Sequence, residues 1–247
     1  MSSTVIRSIG VSKSYEGRKI IEDISVHVDK GEMTSLLGIS GIGKTTLFNI
    51  LSGLEAPDYG DVFLNDTIVT GKAGKVGYMQ QSDLLLPFKK IVDNAAIPLL
   101  LSGVSKKEAR AEAGKILDEF GLGEYKSCYP AQLSGGMRQR AALARTVLYA
   151  KDALLLDEPF SALDAMTRAE MRAWFKNIVR KRGISTLFIT HDIDEAILLS
   201  DRIYIMSGAP GKITHEIKVE LPEIDEVELT KEFIDMKKMI LQTVGKT

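Results

Sequence analysis

The 247-residue chain has one cysteine, Cys128, so no disulfide can form within it. A lone thiol fits a reducing compartment, and its placement reads as an inert loop residue. Aromatics make up 6% of the residues, too few for a platform that stacks successive bases. Positive charge is not in excess either. The 32 Lys+Arg balance 33 Asp+Glu to a net charge of −1, so bulk basicity gives no reason to expect a nucleic-acid partner. The long apolar run of a membrane span is missing. The uncharged stretch Asn94–Ser105 falls well short of the roughly 20 apolar residues that a helix needs to cross a bilayer. The opening residues lack a charged segment followed by an apolar core, so no signal peptide is expected. No internal repeat and no low-complexity segment interrupts the pattern.

What is present is an α/β alternation. Ile20–Val28 ends in alternating Ile24, Val26 and Val28, which predicts a half-buried strand. Met33–Leu37 is a short apolar run that stops at Gly38, and Leu47, Ile50, Leu51 and Leu54 follow at helical spacing. Val62–Leu64 and Ile68–Val69 flank Asn65-Asp66 as a hairpin would, and Val76–Met79 reads as another short strand. From Pro87 to Ala150 the pattern is mainly helical. Ser105 and Glu108 form a capping box, Gly121 suits a helix stop, and a second helical run follows Ser134. The α/β pattern resumes with strands at Ala153–Leu156, Thr186–Ile189 and Ile203–Met206. A helix is expected over Arg168–Arg182, closed by Gly183, and another is capped by Asp192 and Glu195. Phe233, Met236, Ile240 and Val244 outline a small amphipathic helix packed on the core. Polar residues sit repeatedly at the C-terminal ends of predicted strands, where open parallel sheets bind ligands.

Three segments carry chemistry. Gly38-Ile39-Ser40-Gly41-Ile42-Gly43-Lys44-Thr45 matches G-x-x-x-x-G-K-[ST] between a predicted strand and helix. In that setting glycines let backbone N–H groups cradle phosphates at a positive helix end. Lys44 can neutralise the terminal phosphates, the Thr45 hydroxyl can ligate Mg²⁺, and Thr46 can add a phosphate hydrogen bond. Four apolar residues then deliver Asp157 and Glu158 at a strand end. Asp157 suits the Mg²⁺ shell, and Glu158 suits a general base that polarises the attacking water. Alone, this acidic pair would also read as a solvated turn. Ser134-Gly135-Gly136 at a helix start offers a second anion site, or, taken alone, a flexible helix cap.

Together these residues resemble the nucleotide-binding subunit of ATP-binding cassette (ABC) transporters, over about Val5 to Ile213. Gly38–Thr45 looks like the family's Walker A motif, Ala153–Glu158 like Walker B with the catalytic glutamate, and Leu133–Met137 like its signature, with Met137 where Gln is usual. Ser161–Asp164 matches the D-loop, His191 the switch histidine, and Gln81 the Q-loop glutamine. Tyr15 falls where the family stacks an aromatic on adenine. The resemblance implies a P-loop NTPase (RecA-like) α/β core with an inserted α-helical subdomain and an antiparallel β region. Within a single domain, residues 1–86 and 151–214 would form the core, 87–150 the insert and 215–247 a short tail.

It further implies an ATPase using ATP and Mg²⁺. Glu158, His191 and Lys44 would be catalytic, and Thr45, Gln81 and Asp157 would hold the metal. Nucleotide would touch Tyr15, Gly38, Ser40, Gly41, Gly43 and Lys44 to Thr46, with Gln81 and Asp164 in the ring. Ser134, Gly135 and Gly136 of a second copy would close the site in a head-to-tail dimer. The remaining implied partners are transmembrane permease subunits and, indirectly, a solute-binding protein, which sets the chain peripherally on the cytoplasmic face of the cell membrane. Leu85-Leu86-Pro87, Ile91–Asn94 and Ala209–Ile213 look most like the nitrate, sulfonate and taurine import group, although Phe88 replaces a frequent tryptophan. Relatives of that group import thiamine-pyrimidine precursors. Lipid-trafficking and cell-division ABC ATPases are alternative readings.

Overall fold

A strand that is apolar on both faces has to be covered on both faces. The computed structural model describes residues 3–150, 152–161, 163–222, 224 and 227–244, and it meets this demand with two sheets and flanking helices. The first sheet is antiparallel. It consists of β1 (Thr4–Tyr15), β2 (Arg18–Asp29), β4 (Tyr59–Leu64) and β5 (Thr67–Ile68) in the order β2-β1-β4-β5. The second contains β3 (Met33–Leu37), β6 (Gly77–Met79), β7 (Ala153–Asp157), β8 (Ser185–Thr190), β9 (Arg202–Ser207) and β10 (Lys212–Lys218), ordered β10-β9-β3-β8-β7-β6. Pairing is parallel from β9 through β6, and β10 adds an antiparallel edge.

β3, β7 and β8 are buried at every position, as their apolar runs require. Alternate side chains of β7 serve different cores. Leu154 and Leu156 join the helices α2 (Ile91–Leu101), α3 (Lys106–Glu119), α4 (Gly135–Tyr149) and α5 (Ala165–Arg182). Ala153 and Leu155 join α1 (Lys44–Leu51) and the antiparallel sheet. Burying each such leucine stabilises the fold by about 1.5–3 kcal/mol. A third cluster packs α6 (Ile193–Leu199) and α7 (Lys231–Val244) against Leu37, Ile203 and Ile205. Phe233 and Ile240 of α7 are buried there, so the tail helix lies on the core.

The local signals act as expected at most ends. Asn65 and Asp66 both take positive φ, 46° and 60°, in the hairpin turn. The Ser105 hydroxyl accepts the Glu108 N–H at the start of α3, and Gly121 follows that helix with φ 64°. Other expectations need correction. α1 stops at Leu51 and Leu54 is exposed, so the helical spacing overran the helix by a turn. β1 was not expected at all. A register shift between Ser8 and Val11, with Gly10 at φ 61°, breaks its alternation, and adjacent Val5 and Ile6 are both buried. β10 runs through the boundary expected between residues 214 and 215. It is an edge strand with no fully buried residue, so its periodic signal is faint.

Candidate active site

The phosphate-loop candidate turns from β3 into α1 through positions that tolerate little but glycine. Gly43 caps α1 with φ 105°, and a Cβ there would lie 2.5 Å from Ile21 Cγ2. At Gly38 a Cβ would lie 2.6 Å from the Met206 carbonyl oxygen. Lys44 is buried, and its Nζ donates to the Gly38 and Ile39 carbonyls at 2.7 and 2.8 Å, folding back over the loop. Burial pulls its pKa down, against the opposing charges of Glu158 and Asp157. No side chain caps α1, so the N–H groups of its first turn keep their capacity for an anion.

β7 brings the acids to this loop. Thr45 Oγ1 donates to Asp157 Oδ2 at 2.9 Å. Burial holds the Asp157 carboxyl above its ordinary range. The Thr45 hydrogen bond opposes that shift, the Glu158 charge adds to it, and Lys44 counters it. Glu158 has φ 49°, a left-handed conformation that costs a non-glycine residue about 1–3 kcal/mol. That turn aims its carboxylate at two other candidates. Gln81 Nε2 donates to Glu158 Oε2 at 3.2 Å, and His191 Nδ1 lies 3.2 Å from Glu158 Oε1.

One cleft of about 480 Å³ gathers Tyr15, Ser40, Gly41, Gly43, Lys44, Thr45, Thr46, Gln81, Asp157 and Glu158. His191 adjoins it through Glu158. Ser134, Gly135, Gly136 and Asp164 do not line it. They sit at other helix starts. Ser134 caps α4, its hydroxyl accepting the Met137 N–H at 3.3 Å, and Asp164 caps α5, accepting the Thr167 N–H at 3.0 Å. The two starts touch, because a Cβ on Gly136 would lie 2.7 Å from Leu163 Cδ2. Ala162 lies outside the described residues.

Two partners carry little signal in the sequence. Gln139, buried in α4, donates to the Glu158 carbonyl at 3.2 Å. Its one mark is a polar residue on the helix face shared with Ala142 and Thr146. Glu55 accepts the Tyr15 hydroxyl at 2.6 Å, and burial followed by this contact raises the Tyr15 pKa. Nothing in the sequence links two residues so far apart.

The ABC transporter family matches this chain over residues 21–161. The formylaminopyrimidine import ATP-binding protein ThiZ of Halalkalibacterium halodurans is 44% identical, over 85% of this chain and 82% of that protein. The taurine import ATP-binding protein TauB of Pseudomonas aeruginosa is 40% identical, over 89% and 84%. The aliphatic sulfonates import ATP-binding protein SsuB 1 of Xanthomonas axonopodis pv. citri is 40% identical, over 90% and 88%. Among solved structures, a dimer of the ATP-binding cassette MJ0796 in a post-hydrolysis state, bound to ADP and Pi, is 27% identical with a TM-score of 0.79, covering 87% of this chain and 99% of that one. Sequence and fold thus agree with the motifs at the cleft: the chain belongs to the ABC transporter family, as an ATP-binding and ATP-hydrolysing subunit.

Proposed function

We propose that this subunit energises a membrane importer for a small anion of the nitrate, sulfonate or taurine kind. The observation that carries the catalytic part is the convergence of Gln81 and His191 on Glu158 beside the Thr45–Asp157 pair. ATP is the substrate. The phosphate loop and Lys44 bind its phosphates, Thr46 adds a hydrogen bond, and Tyr15 stacks on the adenine. Glu158 takes the proton of the attacking water as general base, and His191 contacts the γ-phosphate.

Among the described residues no three or more His, Cys, Asp or Glu side chains cluster closely enough to cage a metal. That suits Mg²⁺, which keeps waters and substrate phosphates and takes only one or two carboxylates from a protein. The Thr45 hydroxyl and the Asp157 carboxylate fit this donor set, with Gln81 at its edge. When bound, Mg²⁺ would supply charge neutralisation at the phosphates.

Two copies pack head to tail, and Ser134, Gly135 and Gly136 of one complete the nucleotide site of the other. Asp164 couples the two sites. ATP favours the closed dimer and ADP the open one, and that difference drives the cycle. The core comprises 1–86 and 151 onward through β10, and 87–150 is the lobe against which permease subunits dock. A groove of about 430 Å³ supports that docking. It lies between lobe and core and is lined by exposed Leu54 and Leu101 together with Ile97 and Arg145. No described helix is long and apolar enough to cross a membrane. On this reading, attachment at the cytoplasmic face runs through the permease. A solute-binding protein delivers the solute. The names of TauB and SsuB support a sulfonate. The 44% identity to ThiZ favours, as a second reading, a formylaminopyrimidine.

Glu158→Gln is expected to lower turnover about a hundred- to ten-thousand-fold while retaining ATP binding. Normal turnover in that variant would remove the base assignment. The same variant, trapped with ATP in its source cells, should copurify with a multi-span permease. The binding protein of that system would then be titrated with taurine and with formylaminopyrimidine. Recovery of soluble partners alone would overturn the importer reading and leave the ATPase chemistry standing.

A further inference from the structure

α6 carries a carboxylate that the chemistry above does not use. Glu195 is 4% exposed, and its Oε1 has no hydrogen-bond partner among the described residues. The same holds for the Nε of Arg168 and of Arg172 on α5. Glu195 and Arg168 face a small cavity of about 30 Å³, which also meets Glu158, Thr190, His191 and Asp192. A space of that size admits about one water. Its far wall is therefore the reaction centre.

Arg168 links two segments across this space. One guanidinium nitrogen donates to the Leu163 carbonyl at 2.7 Å, and another lies 3.8 Å from Asp192 Oδ2. Leu163 packs against Gly136, and Asp192 follows His191 directly. How firmly Arg168 holds both depends on the charge of Glu195. Burial, reinforced by Asp192, pushes this carboxyl up to about 7, against Arg172, Arg168 and Thr190. While neutral, Glu195 leaves Arg168 to Leu163 and Asp192. Once ionised, it is a buried anion with an open acceptor, facing the open guanidinium donors of Arg172 and of Arg168. A charge-assisted bond from Arg168 is stronger than a neutral one and draws that side chain inward.

Apart from Arg172, whose Nε is open, the neighbouring charges have partners. Asp194 of α6 accepts from Lys237 of α7 at 2.8 Å, and Lys176 of α5 donates to the Leu198 carbonyl at 2.5 Å. At the end of β8, His191 faces Glu158.

We propose that Glu195 is a positioning residue: through Arg168 it sets the placement of His191 and Leu163, so that ATP turnover falls as this carboxyl ionises. The inference rests on the assignment of Glu158 and His191 to hydrolysis.

The test compares kcat of the full-length chain and of Glu195→Gln at saturating MgATP from about pH 6 to about pH 9. The variant-to-wild-type ratio is expected to start near one and to rise roughly threefold or more across that range. ATP affinity, read with a fluorescent nucleotide, should match between the two proteins at both ends. Protonation of ATP itself cancels in the ratio. A ratio that does not change with pH overturns the inference, whatever its value. Should Glu195→Gln fail to fold, Arg168→Gln serves instead. It is expected to lower kcat and to lose the descending limb of the wild type, and persistence of that limb overturns the inference equally. Failure of the underlying reading is visible separately, as normal turnover in Glu158→Gln.

Discussion

The starts of α1 and α4 carry similar small residues, yet their surroundings differ. α1 begins at Gly43, which has no side chain to spend on capping, and its own chain furnishes Lys44, Asp157, Glu158 and Gln81 around it. α4 begins at Ser134, whose hydroxyl already takes the Met137 N–H. The nearby cation of α4, Arg138, is bound to Asp83 at 3.1 Å and to the Leu133 carbonyl at 2.9 Å. A helix start with glycines and no reacting groups has little use by itself. On the proposed reading it is half of a site whose other half is the α1 cleft of a second copy. The comparison shows why a glycine-rich helix start alone does not identify a catalytic centre: the side chains that converge on it decide.

The sharpest way to break this contrast is Gly136→Ala. The new methyl would sit 2.7 Å from Leu163 Cδ2, so the Leu163 side chain must give way or α4 must shift. In a Glu158→Gln background, ATP-induced dimer measured by light scattering is expected to disappear. Nucleotide affinity of the monomer should stay within about twofold, because the α1 cleft is untouched. A dimer that persists would erase the proposed division of labour.

Asp157→Asn sharpens the other side. A carboxyl raised in the folded state stabilises the fold below its unfolded pKa, and that contribution is lost as pH rises through the folded value. Ionisation of the buried Asp157 as pH rises therefore costs stability. Without nucleotide, the variant is expected to melt at a higher temperature than the wild type near pH 7.5, with the gap closing toward pH 4. An equal loss of melting temperature at both values would show that the carboxylate is not the strained group. Such a cost at a binding site is the usual trade of stability for function.

The smallest effect is expected from Tyr15→Phe. It removes the hydroxyl that donates to Glu55 and leaves the ring. Tyr15 is 42% exposed, so the hydrogen bond falls at the low end of about 0.5–1.5 kcal/mol. Nucleotide affinity by fluorescence titration should weaken about twofold. A loss as large as that of a ring-removing variant would mean that the hydroxyl, not the face, meets the ligand.

Legibility in the sequence follows the size of the local signal. β3, β7 and β8 are buried on both faces, so their apolar runs stand out from the sequence around them. β1 and β10 lie where a register shift or one-sided burial blurs the alternation, and periodicity does not reveal them. The phosphate-loop residues of the candidate cleft can be named from spacing, because phosphate-loop chemistry forces glycines and a lysine into fixed positions, whereas Tyr15 and Gln81 are named only through the resemblance to the family. The residues that brace it are harder to see. Gln139 reaches the Glu158 carbonyl from α4, and Glu55 reaches Tyr15 from the loop after α1. Glu195 reads as half of a capping box. Its backbone N–H is indeed capped by Asp192 at 3.1 Å, but its carboxylate is turned into the interior.

By itself the sequence determined the buried central elements and their chemistry: an apolar strand feeding a glycine turn, a second strand delivering two acids, and helix caps at Ser105, Ser134 and Asp192. These are short-range constraints, set by backbone sterics and periodicity within a few residues. Only the tertiary structure decided which ends meet. It brought Gln81 and His191 to one carboxylate, left Ser134–Gly136 outside that cleft, and buried Glu195 beside Arg168. Such meetings depend on which strands become neighbours and which faces are sealed from water, and those are properties of the packed core as a whole rather than of any local stretch.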